Sequence, residues 1–194
     1  MEHLRAPAGK LIAPLVSLLV RAGISADTIT IVGCIGSCAV GIVIARGSLT
    51  AAGVAFLLVS ALDMFDGAVA RATGTVRPFG AFLDSLLDRF AEAAVLAGLV
   101  YFYASLARPI EACLTTLALI GSFGVSYARA RAEGLGLECN VGWFQRPERV
   151  VLLGAGLIIN EYLLLPAIGA LALLTFITVG QRMRHVARML EGRT

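Results

Sequence analysis

Charge is scarce. Only 15% of the 194 residues are Asp, Glu, Lys or Arg, against about a quarter in soluble globular domains. A disordered chain, which is rich in charge and poor in apolar residues, is excluded, and so is an ordinary water-soluble enzyme. Histidine is almost missing: His3 and His185 lie near the two ends, so a proton acceptor in the middle of the chain has to be a carboxylate. The four cysteines, Cys34, Cys38, Cys113 and Cys139, do not form a disulfide framework. Three lie in apolar runs and the fourth is alone in a polar segment, and they read as buried small hydrophobes. The net charge of +3 is small, and the chain has none of the basic–aromatic interleaving of a nucleic-acid binder. Repeats and low-complexity tracts are absent. Apolar residues fill the rest, 58% of the chain, with mean hydropathy +0.86. A helix needs about 20 mostly apolar residues to cross the hydrocarbon core. The chain therefore reads as one integral membrane domain over 1–194, all-α, with around six spans and no sizeable soluble part.

Residues 1–25 are expected to form an amphipathic juxtamembrane helix lying on the surface. Leu4, Leu11, Ile12, Leu15, Leu18 and Leu19 recur at helical spacing, Arg5, Lys10 and Arg21 interrupt them, and Pro14 should kink the helix. A cleaved signal peptide is the rival reading, disfavoured because Lys10 lies late and no clear small-residue site follows Val20. A six-span bundle over 26–188 follows. Its spans are predicted at about Asp27–Ala45 (with Ser25 or Asp27 as N-cap), Leu49–Thr73, Phe79–Leu106, Ile110–Glu133, Pro147–Ile159 and Tyr162–His185. Gly74 and Pro78 mark one turn and Asn160–Glu161 another, and a polar segment covers Gly134–Arg146. The 21 glycines are scattered through the spans, as expected where membrane helices pack closely.

With the N-terminus inside, Arg5, Lys10, Arg21, Arg71, Arg77, Arg129, Arg131, Arg146, Arg149, Arg182, Arg184, Arg188 and Arg193 all fall at cytoplasmic ends. The opposite side holds only Arg46 and Arg108, and Arg89 sits within the third span. That bias supports an even number of spans with both termini cytoplasmic.

The sparse acids are concentrated. Asp63, Asp66, Asp84 and Asp88 lie within 26 positions, on segments otherwise fit to cross lipid. Each ionised carboxylate at that depth costs at least ~2.5–3.5 kcal/mol, and several together repel one another. Asp63 and Asp66 are i,i+3, and Asp84 and Asp88 are i,i+4, so each pair shares one helix face. A hairpin at Gly74–Pro78 brings the two pairs to similar depth, which makes a cage of hard oxygen donors suited to Mg²⁺ and to substrate phosphates. Gly67 and Gly80 leave room for a ligand to approach the backbone. Two other readings remain: salt bridges to Arg71 and Arg89, and a cation or proton pathway.

The residues Asp63, Asp66, Gly67, Ala70, Arg71, Gly80, Asp84 and Asp88 match the pattern D-x2-D-G-x2-A-R-x8-G-x3-D-x3-D. By this signature the chain resembles the CDP-alcohol phosphatidyltransferase family, whose six-span layout with a preceding surface helix it also shares. The resemblance implies that Asp63, Asp66, Asp84 and Asp88 hold two divalent cations, Mg²⁺ or Mn²⁺, and that Asp88 also serves as general base. It implies that Gly67, Ala70, Arg71 and Gly80 lie beside the CDP-lipid, CDP-diacylglycerol or a relative of it, with Asp27 and Thr30 on the cytidine side. The segments Ser126-Tyr-Ala-Arg129-Ala-Arg131-Ala-Glu133, Arg146-Pro-Glu-Arg149 and Gln181-Arg182 resemble the phosphatidylinositol-phosphate synthases. In those enzymes the positions of Ser126, Arg129, Arg149 and Arg182 form the inositol phosphate pocket. Three guanidinium groups suit a dianionic phosphomonoester, whereas Arg184, Arg188 and Arg193 read as ordinary positive-inside residues. The implied reaction gives phosphatidylinositol phosphate and CMP. Glycerol phosphate is the alternative acceptor, and the implied setting is a homodimer in a prokaryotic cytoplasmic membrane with its site facing the cytoplasm.

Overall fold

The computed structural model describes residues 5–159 and 161–192, with side chains over 13–159 and 162–192. His3, Leu4, Asn160 and Arg193, together with the side chains of Arg5, Lys10, Leu11, Ile12 and Glu161, lie outside the described residues. Seven helices and no strands occur among those described: α1 Arg5–Arg21, α2 Ala26–Ala45, α3 Leu49–Ala72, α4 Pro78–Ser105, α5 Pro109–Glu133, α6 Arg146–Ile159 and α7 Glu161–Glu191.

Local chemistry explains the boundaries. Ser25 caps α2, its hydroxyl oxygen accepting from the Thr28 amide at 3.2 Å. Pro78 and Pro109 open α4 and α5 at the first turn, where the missing N–H has no intrahelical partner to lose. Gly74 takes the left-handed φ of +66° that lets the chain turn out of α3. Helix α1 continues through Pro14. Helix α7 runs past His185 to Glu191, because the tail after the apolar stretch is rich in Arg, Met, Leu and Ala, which all favour helix.

The helices α2, α4, α5, α7, α6 and α3 pack in that order into a closed ring, each against the next, and α1 leans on α3. On its described face α1 buries Val16 against Ile29 and Val69, while Leu15 and Leu18 stay exposed. Helices α2, α3, α5 and α7 (from Tyr162) are long and apolar enough to cross a membrane, which makes the chain an integral membrane protein. Helix α4 falls outside that set because it carries Asp84, Asp88, Arg89 and Glu92, and α6 because it has only 14 residues.

The ring is apolar at one end and charged at the other. Ile44, Phe56, Leu96, Leu99, Leu153, Leu157, Leu164 and Ile168 form the core, drawn from the C-terminal halves of α2, α4 and α6 and the N-terminal halves of α3 and α7. Two of the cysteines correct the expectation of burial. Cys38 and Cys113 are exposed, Cys34 is half-buried and Cys139 is buried. An apolar helix in a membrane protein presents apolar side chains outward as readily as inward, so an apolar run does not imply burial.

Among the described glycines, the closest backbone approach joins α2 to α4. A Cβ on Gly41 would lie 2.4 Å from the Ala94 carbonyl oxygen, and one on Gly98 would lie 2.3 Å from the Gly41 carbonyl oxygen. No rotamer can relieve a clash with backbone. Gly98→Leu should therefore destabilise the detergent-solubilised protein by about 3 kcal/mol, a Tm decrease of roughly 6–12 °C. An unchanged melting curve would show that the seam tolerates side chains.

Candidate active site

The four aspartates sit at the charged end of the ring, two on the last turns of α3 and two on the first turns of α4. Asp63 lies in Coulombic reach of Asp66 and Asp88, and Asp84 in reach of Asp63 and Asp66. They form one cluster, as the spacing predicts. Asp66 is buried, and its Oδ2 accepts from the Thr30 hydroxyl at 2.8 Å while its Oδ1 accepts from the Gly67 amide. Thr30, expected beside the cytidine, thus orients a carboxylate of the cluster from α2.

Among the described residues the cluster's close ion pairs run to neither Arg71 nor Arg89, the partners considered in the salt-bridge reading, although Arg89 lies in Coulombic reach of Asp84 and Asp88. Arg146, at the start of α6, places its Nη1 2.7 Å from Asp63 Oδ2 and 2.9 Å from Asp88 Oδ2. Arg89 instead donates to its own helix, at the Ser85 carbonyl and the Ser85 hydroxyl. The Arg71 guanidinium lies over Gly67, where a Cβ would stand 3.2 Å from Nη1. The absence of a side chain at Gly67 therefore makes room for Arg71.

Among the described residues no three His, Cys, Asp or Glu side chains already converge as a ligand set. The donor chemistry nonetheless fits a divalent cation. Every candidate ligand is a carboxylate oxygen, the type that Mg²⁺ and Mn²⁺ take, and a positive group already lies between Asp63 and Asp88.

A cavity of about 500 Å³ opens beside the cluster. It is lined by Asp84 and Asp88 from α4, by Ser126 and Arg129 from α5, by Arg146 and Arg149 from α6 and by Arg182 from α7. All four expected acceptor-site residues thus meet two of the aspartates in one space. Each arginine is held differently. Arg129, partly exposed, pairs with Glu133 one turn on, at 2.8 Å. Arg182, buried, donates to the Val141 and Val125 carbonyls. Arg149 is 2% exposed and makes a bidentate pair with Glu92, Nε to Oε1 at 2.7 Å and Nη2 to Oε2 at 2.8 Å.

A second cavity, also about 500 Å³, is lined by Asp27 at the start of α2 and by the α3–α4 turn, Gly74 to Arg77. Asp27 is paired there with Arg77, and a Cβ on Gly80 would be 3.7 Å from Asp27 Oδ1. Gly67, Ala70 and Arg71 belong to the lining of neither cavity.

Sequence reasoning gave Glu92 no role and placed Arg77 and Arg146 only among the basic residues of cytoplasmic ends, not in the site. Glu92 continues the stripe of Asp84 and Asp88 at i+4, and Arg146 precedes Arg149 by three on the same helical face. Both signals were present in the spacing. What spacing alone does not contain is that α4 and α6, whose backbones do not pack against each other, are joined across the ring by these side chains.

The chain is similar to known proteins over nearly its whole length. The family model for CDP-alcohol phosphatidyltransferase matches residues 24–180. A phosphatidylinositol phosphate synthase of Mycobacteroides abscessus is 40% identical over 190 residues, covering 94% of this chain and 86% of its own. An archaetidylinositol phosphate synthase of Methanothermobacter thermautotrophicus is 40% identical over 177 residues, covering 88% and 87%. Among solved structures, the Mycobacterium tuberculosis phosphatidylinositol phosphate synthase with CDP-DAG bound superposes with TM-score 0.86 at 31% identity, over 91% of this chain and 94% of that one. The same enzyme in complex with manganese and citrate gives TM-score 0.84 at 33% identity, over 89% and 87%. A signature matched at every fixed position, a ring of helices that superposes on a solved phosphatidylinositol phosphate synthase, and relatives similar over almost the whole chain lead to one conclusion: the chain belongs to the CDP-alcohol phosphatidyltransferase family.

Proposed function

We propose that this protein transfers a phosphatidyl group from CDP-diacylglycerol, or a related CDP-lipid, to myo-inositol 3-phosphate, releasing CMP. The observation that supports it best is the cavity in which Ser126, Arg129, Arg149 and Arg182 face Asp84 and Asp88. A phosphomonoester held by the arginines places its alcohol's hydroxyl toward the carboxylate cluster.

Asp88 takes the hydroxyl proton. The hydroxyl oxygen then bonds to the lipid-side phosphorus, the anhydride P–O bond breaks, and CMP leaves with the electron pair. Asp63, Asp66, Asp84 and Asp88 would hold two divalent cations, which offset the negative charge of the pyrophosphate as it divides. Thr30 keeps Asp66 oriented, and Arg182, tied to two backbone carbonyls, offers the acceptor phosphate a fixed positive charge. Asp27, Gly67, Ala70, Arg71 and Gly80 serve the nucleotide side. In this reading α4 and α6 also cross the membrane, giving six spans with α1 on the cytoplasmic surface of a prokaryotic membrane and both termini inside, and two copies form a dimer.

An acceptor panel on purified protein tests the reading. With Mg²⁺ or Mn²⁺ and CDP-diacylglycerol, or its ether-linked counterpart, CMP should appear with myo-inositol 3-phosphate and not with free inositol, which lacks the phosphate that the arginines recognise. CMP release with glycerol 3-phosphate alone would make the product phosphatidylglycerol phosphate. Divalent uptake into proteoliposomes without CMP release from any acceptor would make the protein a transporter.

A further inference from the structure

Two arginines three residues apart on α6 meet the acids of α3 and α4 in different ways. Arg149 is closely paired within the protein: its side chain is 3% exposed, and two of its nitrogens are matched by both oxygens of Glu92. Arg146 is incompletely paired. One nitrogen, Nη1, is shared between Asp63 Oδ2 and Asp88 Oδ2, carboxylates from two different helices. Its Nε is buried with no hydrogen-bond partner among the described residues, a loss that permanent structural arginines avoid. Its side chain is 28% exposed and lines the 500 Å³ cavity, so the guanidinium has space to withdraw into.

Those two oxygens belong to residues expected to ligate the divalent cations and, for Asp88, to accept the proton. A guanidinium and a divalent cation cannot both sit against the same carboxylate oxygens without strong repulsion. We propose that Arg146 is a built-in, exchangeable counter-ion: it holds Asp63 and Asp88 in register across the α3–α6–α4 junction and gives way to the divalent cation. Its positive charge thereby sets the threshold for metal binding. The inference rests on the metal-dependent transferase reading given above.

The test compares wild type, Arg146→Gln and Arg146→Lys as full-length detergent-solubilised protein. It reads Mn²⁺ binding by the EPR signal of free Mn²⁺ and melting temperature in EDTA. Arg146→Gln should bind Mn²⁺ about tenfold more tightly, melt at lower temperature in EDTA, and gain more in Tm than wild type when Mn²⁺ is added. Arg146→Lys keeps the charge but cannot bridge two carboxylates as well, and should fall between. If the Gln variant does not fold in EDTA, Lys against wild type decides, with tighter binding expected. Unchanged or weaker Mn²⁺ binding in these variants, with CMP release intact in wild type, overturns the counter-ion and leaves the transferase standing. Absence of Mn²⁺ binding from wild type and variants alike overturns both.

Discussion

Asp88→Asn should lower CMP release by about three orders of magnitude or more while leaving binding of the CDP-lipid close to wild type. Asn fills the same volume on α4, so the ring should pack as before, but an amide cannot take a proton from the acceptor hydroxyl. The loss of a positioned general base is typically worth 10²–10⁴ in rate, and here a ligand charge is lost with it. Asp88 lies 2.9 Å from Arg146 and lines the cavity proposed for the acceptor, whereas Asp27 lines the other cavity. That separation is why the donor should still bind. Single-turnover CMP formation and equilibrium binding of a radiolabelled CDP-lipid read the two effects independently. A variant that keeps more than a tenth of the wild-type rate would remove Asp88 from the base role.

Glu92→Ala should be the most destabilising single change at the charged end of the ring. It leaves the Arg149 guanidinium, 2% exposed, without its bidentate partner. An unpaired buried charge costs about 3–5 kcal/mol, which for a chain of this size is a fall in Tm of roughly 6–20 °C. The pair also carries its own control. Replacing both members with apolar residues is often neutral, so Glu92→Leu with Arg149→Met should recover most of the melting temperature. Activity should not recover with it, because Arg149 is assigned to the acceptor phosphate: KM for the phosphorylated acceptor should remain raised while the fold is restored. A double variant that regains both would make the pair purely structural, and one that regains neither would show that the two residues are not coupled as drawn.

Much of this arrangement was legible in the sequence because membrane helices repeat a simple rule. Apolar runs broken by Gly74–Pro78 and Pro109 predict helices that the structure begins or ends within a residue or two, such as Leu49–Ala72 and Pro109–Glu133. The i,i+3 and i,i+4 aspartates predict a cluster, and one is present. Hydropathy by itself stops short at α4, where Asp84, Asp88, Arg89 and Glu92 dilute the apolar character, and at α6, which has only 14 residues. Pairing partners were the least legible part. Asp63 meets a guanidinium that lies 83 positions later in the chain, and Glu92 meets one 57 positions away. Periodicity reports which residues share a face of one helix, whereas closure of the ring decides which faces oppose each other. For the same reason the exposed Cys38 and Cys113 could not be told from buried ones: in a chain that faces lipid, an apolar residue has two good places to be.

The glycine seam between α2 and α4 has a mechanical consequence. The two helices run side by side in the same direction, touching through Asp27 and Gly80 at the charged end and through Gly41 and Gly98 deeper in. Held at two heights, they act as the fixed jaw of a caliper that carries Asp27 and Asp88, the residues proposed for the nucleotide side and for the base, at a set spacing, with no long side chains at the deep contact to slip past one another. The other jaw consists of α5, α6 and α7, which line the 500 Å³ cavity with Ser126 and with the long side chains of Arg129, Arg146, Arg149 and Arg182, joined by Gln145 just before α6. An effort to change the accepted alcohol should therefore leave α2 and α4 untouched and work on Ser126, Arg129 and Gln145, where the gap of the caliper is set by side chains rather than by backbone.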